Sequence, residues 1–465
     1  MPDKIKKPRV LLIAEAANPE WVSVPLVGWS HCNAIRQVTD AHIVTQVRNR
    51  DAMLRAGLVE GADFTALNTE RVAKPLSWLG YRLCGGEGKG WTTITAFNAL
   101  SYYDFEYQFW KHFKGDLKAG KYDVVHRVTP LSPTAPSTIA PKLKKIGVPF
   151  VVGPLNGGLP WPKGFETVRR KEREWLSYLR SAYKLMPGYK STRRDASAIV
   201  AGSQATYEQL PASIREKLIY VPENSIDPSR FSKHVTGKVQ TPLKLAFVGR
   251  FVPYKGADML LRAMAPLIRE NKVIIDMIGE GPMRSELESL TCELGIKQGV
   301  KMDGWVEHDK LQDRLMQSDV FAFPSVREFG GGVVLEAMAM GLMPIVMQYG
   351  GPGELVTEKT GYGIEMGSRD QIIDRLRQTV ETVLEEPQQV RVKGALARQR
   401  VIEKFTWQAK AKQMLEVYQW VLNQREDKPN FGMPFEDVLL SIAGTQVSTV
   451  KASRKFKRKG SRSVA

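Results

Sequence analysis

Cysteine is scarce in this chain of 465 residues. The three present, Cys32, Cys84 and Cys292, are scattered, which excludes a disulfide framework and any zinc-ligand spacing. No Asp-x-Asp and no His/Cys cluster offers a metal site, so neither a bound metal nor a cofactor is expected. No apolar run approaches eighteen residues, and the start, Met1-Pro2-Asp3-Lys4-Ile5-Lys6-Lys7, lacks the apolar core of a signal peptide. These absences predict a reduced, cytoplasmic protein without a membrane span. The dinucleotide fingerprint is missing too. Gly279-Glu280-Gly281 is followed by Pro-Met-Arg with no third glycine, which argues against a dehydrogenase. There is no 20–50-residue repeat and no coiled coil.

What remains is an ordinary globular composition, 43% hydrophobic and 25% charged, long enough for two or three domains with cores of their own. The net charge of +18 is unevenly spread. Residues 1–240 carry 35 Lys and Arg against 21 Asp and Glu, residues 241–450 carry 25 against 28, and the last fifteen carry seven cations and no acid. A basic first half beside a near-neutral second half predicts an anionic acceptor or a peripheral contact with an anionic membrane face. Nucleic acid is the rival explanation. It is not expected here, because no RNA- or DNA-reading motif is present and the cations are mixed with acids.

Strand and helix patterns alternate through both halves, the mark of parallel sheets covered by helices. In the first half Val10–Ala14, Asp123–His126 and Pro149–Val152 read as buried strands, and Ala198–Ala201 closes the sheet. Lys163 to Leu185 reads as a helix with Val168, Trp175, Leu179, Ala182 and Met186 on one face and a basic remainder. Its outer face is either merely solvated or a membrane-surface element. The polar stretch His234–Pro242 is the expected linker. In the second half the elements fall at 244–249, 257–269, 273–278, 282–294, 299–303, 309–317, 319–324, 333–340 and 343–347. Lys451 to Ala465 is a basic tail expected to stay disordered.

Two stretches carry chemistry. The first is Arg327-Glu328-Phe329-Gly330-Gly331-Gly332-Val333-Val334-Leu335-Glu336, which follows the strand Asp319–Pro324. The glycine triplet opens a helix that Gly341 ends, with Glu328 at the turn and Glu336 about one turn inside. Between the carboxylates lie helix-start N–H groups, suited to phosphate, while two carboxylates suit hydroxyl-rich groups on either side of it. That is the outline of a nucleotide-sugar. Gly-rich turns are common, and what singles this one out is a second stretch about eighty residues upstream, Leu245–Gly249-Arg250-Phe251-Val252-Pro253-Tyr254-Lys255-Gly256. Arg250 and Lys255 follow the end of a parallel strand, where ligands bind. There they form a candidate clamp on a diphosphate, Arg as a fork and Lys as a point charge.

With these stretches the chain resembles the retaining GT-B glycosyltransferases of family 4, the glycosyl transferases group 1. Val221-Pro222-Glu223-Asn224-Ser225-Ile226-Asp227 with Phe231, Ile278–Pro282, Gly304-Trp305-Val306, and Phe405-Thr406-Trp407 with Tyr418 stand in the order the family shows. The resemblance is strong over 199–420 and weaker before it. It implies an α/β GT-B fold, two Rossmann-like parallel-sheet domains facing a central cleft. Residues 1–235 would form the acceptor-side domain, completed by C-terminal helices at about 405–450, and residues 241–404 the nucleotide-sugar domain.

The resemblance also implies roles. Glu328 would hold hydroxyls of the donor sugar and Glu336 the ribose. Arg250, Lys255 and the amides of Gly331, Gly332 and Val333 would hold the diphosphate, with Gly249, Gly279 and Gly330 among the donor-binding residues. Backbone at Gly304, Trp305 and Val306 would meet the base. On the acceptor side, the family's Gly-Gly loop corresponds to Val27-Gly28-Trp29-Ser30-His31, where one glycine remains. The family's catalytic histidine falls on His126 or, two residues on, on Val128. Asn156, Gly157 and Gly158 form a second Gly-rich loop facing the same cleft, as acceptor or donor contacts or as a rigid turn. The activity implied is metal-independent, retaining transfer of a hexosyl group from a nucleotide-diphosphate sugar to a lipid-linked or polysaccharide acceptor. The alternatives are a sugar or sugar-phosphate synthase with a soluble acceptor, and a non-catalytic GT-B protein binding an anionic surface or nucleic acid.

Overall fold

Short β-branched and apolar runs such as Val10-Leu11-Leu12-Ile13 and Val320-Phe321-Ala322-Phe323 are buried on both faces, as parallel strands covered by helices must be. A computed structural model describes residues 7–84, 91–166, 182–307 and 310–431. It contains two parallel sheets. The first has seven strands, β1 (Arg9–Ala14), β2 (Asp40–Gln46), β3 (Phe64–Leu67), β4 (Val124–Thr129), β5 (Phe150–Leu155), β6 (Ala198–Ala201) and β7 (Leu218–Tyr220), in the order β3-β2-β1-β4-β5-β6-β7. The second has six, β8 (Leu243–Val248), β9 (Val273–Ile278), β10 (Val300–Gly304), β11 (Val320–Phe323), β12 (Met343–Met347) and β13 (Tyr362–Ile364), in the order β10-β9-β8-β11-β12-β13. This is the GT-B fold. The strand order reverses between β1 and β4 in one sheet and between β8 and β11 in the other. At such points a crevice opens beyond the carboxyl ends of the strands.

Each lobe has its own core. In the first, Phe105, Phe109 and Phe113 recur every fourth residue on the Trp91–Lys118 helix and pack over Leu11, Ile13, Val125 and Val152. In the second, Phe247, Phe321 and Phe323 stack beneath the reversal point, with ring centroids 5.7–6.0 Å apart. Burying each ring is worth about 1.5–3 kcal/mol.

The chain leaves the first lobe after Ile226 and returns to it at Thr406, and these two points are joined. Ile226 N–H donates to Phe405 O at 2.9 Å and Trp407 N–H to Ile226 O at 3.2 Å. Thr406 caps the Trp407–Val421 helix, which lies along the Val24–Val38 helix of the first lobe. The linker is not a loose hinge. Val235 N–H donates to Met340 O, and Arg391 reaches Gly237 O.

The structure corrects several expectations. Ala198–Ala201 does not close the first sheet, because β7 pairs beyond it; a three-residue strand is too short for periodicity to announce. Val27–His31 is not a loop but the interior of the Val24–Val38 helix, which Pro25 starts in its first turn. The basic helix expected at Lys163–Leu185 lies, over 167–181, outside the described residues, as does the tail 451–465. No helix among the described residues is long and apolar enough to cross a membrane.

Candidate active site

A cavity of about 1750 Å³ lies between the lobes. On the first lobe its walls come from the carboxyl ends of the strands, with Ala16 after β1, Leu131 after β4, Asn156, Gly157 and Gly158 after β5, and Glu223 and Asn224 after β7. The Val24–Val38 helix adds to them, including Val27, Trp29 and Ser30. From the second lobe come Arg327, Glu328 and Gly330 after β11, then Gly332 and Glu336 from the following helix. The two carboxylates picked out in the sequence therefore face one space.

The glycine turn has steric causes. Gly331 caps the Gly332–Ala339 helix with φ 67°, a left-handed conformation that disfavours any side chain. Gly330 is packed against the opposite lobe. A Cβ there would overlap Asn224 Nδ2 and stand 2.6 Å from Glu223 Oε1. Val334 N–H bonds back to Gly331 O, so the helix begins here and its first amides, including Gly332 and Val333, have no partner within the helix itself. The turn is fixed from behind, where Gly351 N–H donates to Glu328 O at 3.0 Å.

Lys255 and Glu328 meet. The ammonium pairs with Glu328 Oε2, both side chains mostly shielded from water, and the Lys255 nitrogen stands 5.0 Å from the Phe323 ring centre. Arg250 is exposed at the end of β8. Neither Arg250 nor Lys255 belongs to the cavity wall; they stand at the adjoining strand ends. The predicted glycines Gly249, Gly279 and Gly304 form one ladder there. Gly249 N–H donates to Ile278 O and Gly279 N–H to Gly304 O, each at 3.0 Å, and a side chain on Gly279 would overlap the Gly249 carbonyl. Trp305 follows at 70% exposure, with Val306 next to it, half-buried.

On the first lobe, Asn156 is buried and Gly157 is held both ways by Thr206, its N–H donating at 3.3 Å and its carbonyl accepting at 3.1 Å. Gly158 O accepts from Gln209 Nε2. Gly28 lies outside the cavity wall. It allows its helix to press on the β1–β4 reversal, since a Cβ would overlap Ala16 O and stand 3.0 Å from Thr129 Cγ2.

His126 sits inside β4, fully buried, with Nε2 donating to Gly153 O and Nδ1 accepting from Tyr418 Oη, both at 2.6 Å. Burial pushes its pKa down to about 4. The ring fastens the C-terminal helix to the first sheet and has no nitrogen left for a substrate. Val128, the other register, is buried in the same strand.

Three groups that sequence reasoning missed stand around the cleft. Glu223 stood out only as part of a longer motif. Burial pushes its carboxyl up to about 7, with Asn156 and Lys410 opposing and nearby Glu328 adding to the rise. Lys410 is 1% exposed and donates to Asn224 O at 3.1 Å; burial pushes it down to about 7. Its signal was available, because Trp407, Lys410, Ala411, Met414 and Tyr418 recur at helical spacing and put the lysine on an apolar face. Glu354 receives Gln204 N–H at 2.8 Å and the Tyr220 hydroxyl from the opposite lobe. Two further contacts join the lobes, where Arg327 lies 4.7 Å from the Trp161 ring centre and Tyr349 Oη donates to Pro160 O at 2.7 Å.

Known proteins share this architecture. Residues 229–395 match the family model described as Glycosyl transferases group 1. This segment holds the glycine turn, both of its carboxylates, Arg250 and Lys255. A GDP-mannose-dependent monoacylated α-(1-6)-phosphatidylinositol monomannoside mannosyltransferase of Corynebacterium glutamicum is 32% identical over 237 residues, covering 49% of this chain and 59% of that protein. An MMP α-(1→4)-mannosyltransferase of Mycolicibacterium hassiacum is 26% identical over 305 residues, 65% of this chain and 71% of its own. The chain spans about half the length of most curated relatives it matches. Among solved structures, sucrose-phosphate synthase from Thermosynechococcus elongatus superposes with TM-score 0.57 at 16% identity, over 90% of this chain and 100% of that one. Anabaena HepE, solved with UDP and glucose, gives 0.52 at 18%, over 88% and 98%. These two likenesses concern the fold.

Proposed function

We propose that this chain is a retaining glycosyltransferase of family 4 that moves a sugar from a nucleotide-diphosphate donor to a hydroxyl of a lipid-linked or polysaccharide acceptor, without a metal. One observation carries the reading. Glu328 stands before, and Glu336 about one helical turn beyond, a glycine turn that opens a helix onto the inter-lobe cavity, with Lys255 on the first carboxylate. The donor diphosphate lies along the turn. Helix-start amides at Gly331, Gly332 and Val333, with Lys255 and Arg250, stabilise the charge that grows on it as the bond to the anomeric carbon breaks. A hydrogen bond or ion pair worth about 1.4 kcal/mol in the transition state alone speeds the step tenfold. Glu328 accepts hydrogen bonds from sugar hydroxyls and Glu336 from the ribose. The acceptor enters from the basic first lobe, past Asn156, Gly157 and Gly158, and its hydroxyl attacks from the face that the diphosphate leaves. The excess of cations over acids in residues 1–240 supports an anionic acceptor and work at a cytoplasmic membrane face.

A donor screen tests this. UDP-, GDP- and ADP-sugars are compared by thermal shift and by hydrolysis on the wild type and on Glu328→Ala. Binding and slow hydrolysis of one donor, lost in the variant, is the expected result. Failure of every nucleotide-sugar, or full activity in Glu328→Ala, overturns the reading.

A further inference from the structure

A helix packed on a globular core turns charged and polar residues outward. On the Glu70–Cys84 helix that outer face is of one sign and carries a tryptophan. At about 100° per residue, Arg71, Lys74, Pro75, Trp78 and Arg82 fall within an arc of about 100°. All five are exposed, Trp78 at 60% and the Lys74 side chain at 77%, while Ala73 on the other side is buried. Arg82 lies 5.2 Å from the Trp78 ring centre. The helix has one acid, Glu70 at its first residue, and that carboxylate is held between Lys74 at 3.6 Å and Arg48 at 3.5 Å. Arg48 also lines the inter-lobe cavity, so the stripe starts at the cavity's edge. Two large apolar residues of the same wall are exposed: Trp21 at 45%, next to Val22 at 80%, and Leu100 at 48%. Leu100 belongs to the Trp91–Lys118 helix, which packs beside the stripe's own helix. Behind Trp21 the wall continues with Val24, Leu26 and Trp29.

We propose that the stripe Arg71, Lys74, Trp78 and Arg82, with Trp21 and Leu100 at the cavity's edge, docks on an anionic phospholipid bilayer. Cations without an intervening acid meet the lipid phosphates, an indole rests at headgroup depth, and the long stems of Lys and Arg lie along apolar surface while their charges stay in water. A polyanion such as RNA would meet the same cations but gain nothing from Val22 and Leu100. The docking stands on this surface alone. That it delivers a lipid-linked acceptor to the cavity, and not a soluble polysaccharide, rests on the transfer reading above. An acceptor lifted from the bilayer would pass its apolar part along Trp21, Val24 and Leu26 while its sugar reaches the glycine turn. Each cation held at an anionic surface strengthens partitioning about fivefold, so the three of the stripe are worth about 10²-fold.

The test sediments the full chain with vesicles of equal parts phosphatidylglycerol and phosphatidylcholine, and with phosphatidylcholine alone. Wild type is expected on the mixed vesicles and not on the neutral ones. The triple variant Arg71→Gln, Lys74→Gln, Arg82→Gln should lower the partition coefficient by about tenfold or more, with UDP or GDP binding by calorimetry kept within about threefold. Residues 451–465 carry seven cations as well, and the triple variant separates the two sources. Should that variant fail to fold, Lys74→Glu, a change of two charges, is held to the same tenfold criterion. A smaller loss overturns the proposal and moves any docking to the tail. So does equal sedimentation with neutral vesicles, unchanged binding in Trp78→Ser, or a wild type that stays in the supernatant, whether or not RNA binds through the same cations. A chain that docks through the stripe yet binds no nucleoside diphosphate keeps the docking and overturns only the transfer reading.

Discussion

Replacing Glu328 with Gln separates two things the carboxylate does. Its side chain and that of Lys255 are 21% and 15% exposed, so their ion pair is mostly shielded from solvent. At an effective permittivity of about 20, unit charges about 4 Å apart attract by about 4 kcal/mol. A diphosphate that draws Lys255 toward itself gives up part of this attraction. Gln keeps the size and the hydrogen-bonding capacity but not the charge, so the lysine is released. Binding of UDP or GDP is therefore expected to be unchanged or up to about tenfold tighter, a difference of about 1.4 kcal/mol. Sugar transfer or hydrolysis moves the other way. Hydrogen bonds from two sugar hydroxyls to a carboxylate, at about 1.5–3 kcal/mol each, become neutral ones, and kcat/KM should fall by about 10²–10³-fold. Calorimetry with the nucleoside diphosphate and steady-state kinetics with the matching sugar give the two readouts. A tenfold weaker diphosphate together with near-normal turnover would refute the reasoning.

Three further outcomes are expected. Gly279→Ala should lose about 3 kcal/mol or more in a urea melt and weaken nucleotide binding, because φ is 149° and the new methyl overlaps Gly249 O. Tyr418→Phe should cost about 1–3 kcal/mol, since His126 Nδ1 loses its donor inside the core, and a melt of the intact chain checks this. Burial raises the Glu354 carboxyl to about 7, against the opposing pull of the Tyr220 and Gln204 donors. Between about pH 4.5 and 7 the folded chain thus keeps a proton that the unfolded chain has released, and stability falls as pH rises through that window. Glu354→Gln, whose amide oxygen can still accept from Gln204 N–H while its NH2 group donates to the Tyr220 oxygen, should flatten this dependence in melts at pH 5 and pH 8.

The second lobe was legible because its signals are local. The helix Ala257–Arg269 and the strands Val273–Ile278 and Met343–Met347 match their expected bounds, each a continuous apolar or amphipathic run closed by a turn residue. Glu328, the glycine triplet and Glu336 are close in sequence, so their meeting needed only a strand-turn-helix reading. The first lobe was harder because its partners are remote. His126 meets Tyr418 across 292 residues, and Glu223 meets Gly330 across the cleft. No spacing rule reports such pairs. Gly28 was read as part of a loop and lies instead in a helix whose Val27, Trp29 and Ser30 line the cavity, its own small size serving helix-on-strand packing.

The joined crossing at Ile226 and Thr406 bears on the order in which the molecule is born. Synthesis delivers β1 to β7 first, yet the Trp407–Val421 helix that covers the Val24–Val38 helix and receives His126 leaves the ribosome only after the whole second lobe. The second lobe, begun later, is complete by the time Lys404 is made, its ends already close together. The lobe that starts first is therefore finished last, and until Tyr418 arrives its inner face has no cover. A nascent chain stalled before residue 407 should hold a mature second lobe beside an unfinished first one, and there a chaperone would find its grip.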